Sequence, residues 1–191
     1  MRKTGEWMPF WVTGAASLLL CVTTRVSPLA LGQLVLTTLV PAVLPLLGRA
    51  TGRTFSPLIN WVITGHLLLA SHLGSVLGFY ARFSWWDLLM HGSFGLVAAV
   101  ALYGLLMREH PNTFGSWLLL FLAVMGSGAM WELMEFASDL LFHGDAQRVG
   151  QALREGVSPI RDTMTDLLVT IIGPLLMGIW LWIQKKKPSD D

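Results

Sequence analysis

The chain has 191 residues, 53% of them hydrophobic and only 13% charged, with a mean hydropathy of +0.59. That is too apolar for a soluble domain of this length and indicates a polytopic membrane protein. A net charge of +1 gives no basic field for nucleic acid, and a lone cysteine, Cys21, excludes an internal disulfide and a cysteine metal site.

Apolar runs long enough to cross a bilayer follow one another along the chain. Six are predicted: Trp7 to Thr24, Leu29 to Leu47, Pro57 to Tyr80, Trp86 to Met107, Phe114 to Phe142 and Thr163 to Ile183. The start, Met1-Arg2-Lys3 before an apolar stretch, has the form of a signal peptide. The length of the run and the spans after it favour an uncleaved first helix. Pro41 and Pro45 are expected to kink the second helix. The fold class is all-α: one integral membrane domain over 1–191, with a helix pair at 7–47, four core helices at 57–183 and a polar tail at 184–191.

Orientation follows from loop charge. With both termini in the cytoplasm, Arg2, Lys3, Arg49, Arg53, Arg108, Lys185, Lys186 and Lys187 lie inside, and Arg25, Arg82, Arg148, Arg154 and Arg161 outside. His110 then falls in a cytoplasmic loop.

Acidic residues concentrate at the outer ends of the last three helices. Glu132, Glu135 and Asp139 fall within an arc of roughly 60° on one helix face. Asp87 and His91 stand four apart at the start of the fourth helix, and Asp162 and Asp166 four apart at the start of the sixth. Small residues (Gly92, Ser93 and Gly95, then Gly126, Ser127 and Gly128) would let these helices approach closely. Carboxylates in a half-dry pocket need neutralising. A bound cation, shared protons, or Arg148, Arg154 and Arg161 of the next loop would each serve.

Carboxylates with His91 suit Mg²⁺, Mn²⁺, Fe²⁺ or Zn²⁺. The metal ligands expected are Glu132, Glu135, Asp139, Asp162 and Asp166, with His143 and His72 as further nitrogen donors. Asp87, His91, Glu132 and Glu135 are the catalytic candidates, and the three arginines are candidates for an anionic headgroup. Plainer roles exist: Asp87 in a Ser84-Trp85-Trp86-Asp87 capping box, Asp162 as a helix cap, His66 as a core histidine. The carboxylate stripe has no structural return matching its cost of burial. Val149, Leu153 and Val157 recur every fourth residue, as in a short surface helix.

Trp86-Asp87-Leu88-Leu89-Met90-His91-Gly92-Ser93-Phe94-Gly95 resembles the D-x-x-x-H-x-x-x-G segment of the bacterial YjdF-like inner-membrane proteins (domain of unknown function 2238). Trp131-Glu132-Leu133-Met134-Glu135 is similar to that family's W/Y-E-x-x-E helix. Asp162-Thr163-Met164-Thr165-Asp166-Leu167, with Gly173, resembles its D-x-x-x-D-L/M…G ending. The likeness covers about Trp85 to Gly178, and Pro174 stands where the family has a small residue. A more distant likeness is to VanZ-like membrane proteins. The resemblance implies a bacterial inner-membrane location and names no reaction.

Three functions are compatible with these residues. One is a metal-dependent hydrolase or transferase acting on a lipid or cell-envelope substrate, with His91, oriented by Asp87, as general acid or base. The second is a proton- or cation-coupled transporter. The third is a non-catalytic envelope-binding scaffold.

Overall fold

The computed structural model describes residues 5–52, 55–107 and 113–185. Arg2, Lys3, Arg53, Arg108, His110, Lys186 and Lys187, on which the charge reading of orientation partly rests, lie outside them, as does the tail from 186 onward. The described residues are helical, and the chain divides into two compact units, the first ending at Met90 and the second beginning at His91. The division falls inside a helix, so the third predicted span groups with the first pair.

In the first unit a single 3₁₀ turn, Gly5–Trp7, leads into α1 (Met8–Thr23). Ser27 caps α2 (Pro28–Thr51) by accepting from the Ala30 N–H at 3.2 Å. The next helix, α3, runs Pro57–Leu67 and then widens to π winding over Leu68–Val76. One turn, α4 (Phe79–Arg82), follows.

Polar side chains stitch these helices together. Pro45 has no N–H, so the Pro41 carbonyl one turn earlier loses its partner in the helix. Asn60 of α3 supplies it, donating from Nδ2 at 2.9 Å. Deeper in the unit, Ser17 Oγ of α1 lies 3.0 Å from Thr38 Oγ1 of α2 and 3.1 Å from His72 Nε2 in the π segment. Gly14 leaves room for this approach, its position meeting the Thr38 methyl at ordinary contact distance.

The second unit takes up α5 (Trp86–Leu102, continuing as π winding over Tyr103–Met107) at His91. Thr113 caps α6 (Phe114–Phe142). This helix closes on His143 in the left-handed conformation, φ 54°, whose N–H reaches the Asp139 carbonyl at 2.9 Å. A short α7 (Val149–Glu155) leads to α8 (Arg161–Thr170) and α9 (Ile172–Lys185).

The predicted sixth span, 163–183, is therefore two helices meeting at Ile171. Pro174 explains the break: it cannot donate to the Thr170 carbonyl. A close crossing occupies the same place. A Cβ on Gly95 would run into the Thr170 carbonyl, and one on Gly173 into the Gly95 backbone. Gly128 of α6 packs on the Thr170 methyl. Beyond this crossing Ala99, Leu120, Val124, Met177 and Leu181 form a dry core, and Trp117 Nε1 donates to the Pro174 carbonyl at 3.0 Å.

Among the described residues, four helical runs are long and apolar enough to cross a membrane: Ala30–Thr51, Trp86–Leu105, Phe114–Phe142 and Arg161–Gln184, the last spanning α8 and α9. Large apolar side chains remain exposed along them, Leu36, Leu122 and Ile179 among them, as lipid-facing helices require. The first and third predicted runs are not among these four. The 16 residues of α1 rise only about 24 Å, short of a hydrocarbon core of roughly 30 Å, and the third run changes winding at Leu68.

Candidate functional site

Among its described residues the second unit buries three ionisable side chains. His91 is 6% exposed, Glu132 6% and Asp166 2%. They come from three helices, α5, α6 and α8, brought together by the small residues at the crossing. Thr170 fixes the last of these. Its hydroxyl donates to the Asp166 carbonyl one turn earlier at 2.8 Å, with the His91 carbonyl of α5 at 3.4 Å.

The His91 ring stands between two carboxylates. Nδ1 lies 3.6 Å from Glu132 Oε1, and Nε2 lies 3.9 Å from Asp166 Oδ2. A neutral imidazole has one N–H and one lone pair. It can donate toward only one of these oxygens and must present its lone pair to the other. A second ring proton would resolve the conflict, and so would a cation between one nitrogen and its carboxylate.

Glu135 completes one side. His91, Glu132 and Glu135 each offer a ligand atom, and these atoms lie within 4.8 Å of one another. Glu135 is half-buried at the edge of the group, and Trp131 Nε1 donates to its Oε1 at 2.8 Å. Trp131 thus holds the outermost carboxylate in place.

Gln147 is a neighbour that no sequence pattern singles out. Its Nε2 donates to the Glu132 carbonyl at 3.1 Å and lies 3.3 Å from Glu132 Oε2 and 3.4 Å from Thr163 Oγ1. Asp139 delivers it: the Asp139 carboxylate accepts the backbone N–H groups of Ala146 at 2.6 Å and Gln147 at 2.9 Å. A glutamine in a polar loop carries no periodic signal. Its position depends on a turn that only the folded chain shows.

Most of the remaining sequence candidates are placed apart from the His91, Glu132 and Glu135 group. Asp139 is turned to the loop backbone. Asp162, in the first turn of α8, pairs with Arg148 at 3.8 Å, both partly exposed. Arg148 Nε also donates to Gln151 at 2.9 Å, and Arg154 and Arg161 lie at the surface. The expected surface helix is α7, which buries Ala152 and leaves Leu153 exposed. Asp87 is buried in the first turn of α5, one turn before His91, at the end of the first unit. His143 is the exposed cap of α6, and His72 belongs to the first unit on Ser17.

Comparison with known proteins supports the sequence reading. A family model described as "Predicted membrane protein (DUF2238)" matches residues 7–187. An uncharacterized protein of Thermotoga maritima is 26% identical over 120 residues, which cover 61% of this chain and 58% of that one. The chain therefore matches less than two thirds of that relative's length. No solved structure matches.

Proposed function

Because the chain belongs to the predicted membrane protein family DUF2238, we propose that it is a multi-pass protein of the bacterial inner membrane that binds a divalent metal ion on His91, Glu132 and Glu135. The ion would act as a Lewis acid on an ester or phosphoryl group of a lipid or lipid-linked envelope substrate. The observation that carries this reading is the convergence of three ligand atoms from two helices within 4.8 Å, beside a histidine with a carboxylate at each ring nitrogen. Ligands bound at about 2.1 Å from one ion stand roughly 3.0–3.5 Å apart, so the 3.6 Å between Nδ1 and Glu132 needs only a small closure.

Asp166 then has the part that carboxylates commonly take behind a metal-bound histidine. It accepts the Nε2 proton, sets the tautomer and points the Nδ1 lone pair at the ion. Gln147 would orient Glu132 in the same way, and Trp131 would orient Glu135. When bound, the ion supplies polarisation of the substrate oxygen or a more acidic water.

Metal analysis of the purified, detergent-solubilised protein tests this. Near-stoichiometric metal is expected in the wild type and only traces in Glu132→Gln/Glu135→Gln. Asp166→Asn should keep the site with affinity lowered about 10–100-fold. Wild-type protein prepared without chelator, free of metal and unable to take up Mg²⁺, Mn²⁺, Fe²⁺ or Zn²⁺, would overturn the reading.

The broken helix α8–α9 favours a second reading, since transport proteins place binding groups at interrupted helices. In that case His91 carries a second proton between Glu132 and Asp166. Flux in liposomes driven by a pH gradient, from metal-free protein, would select it.

A further inference from the structure

The first unit contains a cavity of about 430 Å³ whose walls include Glu6, Pro45, Arg49, Phe55, Ser56 and Asn60. Pockets for small ligands run from roughly 300 to 1,000 Å³, so this one suits a compact molecule. It lies where the entry to α1, the last turn of α2 and the first turn of α3 come together.

Three polar groups face different demands there. Asn60 is only 4% exposed, and its Nδ2 is committed to backbone carbonyls, Pro41 at 2.9 Å and Glu6 at 3.4 Å. Its Oδ1 is buried and accepts no hydrogen bond from the described residues. A buried acceptor of this kind costs stability unless a donor reaches it. Arg49 is held by stacking, its guanidinium carbon 4.9 Å from the centre of the Trp7 ring. Stacking on a ring face leaves the in-plane N–H donors for an oxyanion. No ion pair links Glu6 to Arg49 among the described residues, although both line the cavity.

The cavity thus offers a cation and a separate anion between apolar walls from Pro45 and Phe55. We infer that it binds a phosphoethanolamine group. The phosphate would take the Arg49 guanidinium, and the ammonium would donate to the Glu6 carboxylate. Amine and phosphate sit on a short tether in this group, which matches opposite charges within one small cavity. The same chemistry occurs in a phosphatidylethanolamine headgroup and in water-soluble glycerophosphoethanolamine. The inference stands apart from the metal reading, because all of its residues lie in the first unit.

Native mass spectrometry of the detergent-released full chain tests it, with phosphatidylethanolamine, phosphatidylglycerol and glycerophosphoethanolamine offered separately. Phosphatidylethanolamine should be retained about tenfold or more over phosphatidylglycerol, as expected for one charge-assisted hydrogen bond. Glu6→Gln should erase that preference, and Arg49→Gln should weaken both lipids, while Arg49→Lys keeps partial binding. Glycerophosphoethanolamine binding as tightly as the lipid supports the site and makes the soluble compound its ligand. Much weaker binding supports the site and makes the lipid its ligand. Equal retention of the two lipids by the wild type, or a preference that survives in folded Glu6→Gln, overturns the inference. Circular dichroism of each variant separates loss of the cavity from loss of the fold.

Discussion

Both units bury polar side chains among apolar helices, and they bury different kinds. Up to Tyr80 the first unit encloses hydroxyls, an amide and an imidazole, among them Ser17, Asn60 and His72. The second encloses His91 between Glu132 and Asp166. A neutral group at membrane depth needs only hydrogen bonds, such as the one Asn60 Nδ2 gives to the carbonyl that Pro45 leaves open. A carboxylate needs a proton or a counter-charge, and packing supplies neither. The Ser17, Asn60 and His72 contacts read as construction, and the His91 group reads as a site. Three paired substitutions can break or sharpen that contrast.

The largest difference should come from the two buried histidines. His91→Ala removes the group that separates two buried carboxylates and should cost about 3–5 kcal/mol. His72→Ala removes a neutral contact to Ser17 and should cost about 1–2 kcal/mol more than the common loss of ring packing. Reversible unfolding in mixed micelles measures both. Equal losses would mean that the second unit holds its histidine no differently from the first.

Helix crossings give the next contrast. Gly95→Ala forces a Cβ into the Thr170 carbonyl and should destabilise by about 1–3 kcal/mol. Gly14→Ala meets only the Thr38 methyl at 3.5 Å and should be neutral or slightly stabilising, because alanine is the better helix former. The same unfolding assay decides, and a silent Gly95→Ala would place the crossing elsewhere.

The smallest effect concerns the proline repair. Asn60→Leu leaves the Pro41 carbonyl open and should cost about 1–2 kcal/mol. Pro45→Ala restores the missing N–H, so the double variant should recover most of that loss. A double-mutant cycle with no coupling would show that Asn60 does not serve Pro41.

Much of this architecture was legible in the residues. The run from Phe114 to Phe142 is one helix with the bounds expected, because a long apolar stretch between a capping threonine and a polar loop leaves few alternatives. Three motifs pointed to α5, α6 and α8, and His91, Glu132 and Asp166 meet there. The sequence could not sort the acidic residues further. Asp139 shares a helix face with Glu132, yet the loop backbone takes its carboxylate. Asp162 sits one turn from Asp166, yet Arg148 reaches it first. Such choices depend on loop paths that periodicity does not encode. Pro174 stands at the break in the last span, but the apolar run from Thr163 to Ile183 reads straight through it. Pro41 and Pro45 likewise announced a need for an outside donor, and only packing identifies Asn60 as that donor.

The Asn60 contact also bears on how the chain enters the bilayer. Residues are made in order, so α2 is complete before α3 exists. Until Asn60 arrives, the Pro41 carbonyl has no partner within its own helix, and an unsatisfied backbone group in hydrocarbon costs several kcal/mol. The second helix alone therefore enters the lipid phase with one carbonyl open. The third helix closes that carbonyl, which ties residues 28–67 together in packing. A chain truncated after Gly52 would keep the full apolar run of α2 and lose the residue that makes its mid-membrane proline tolerable.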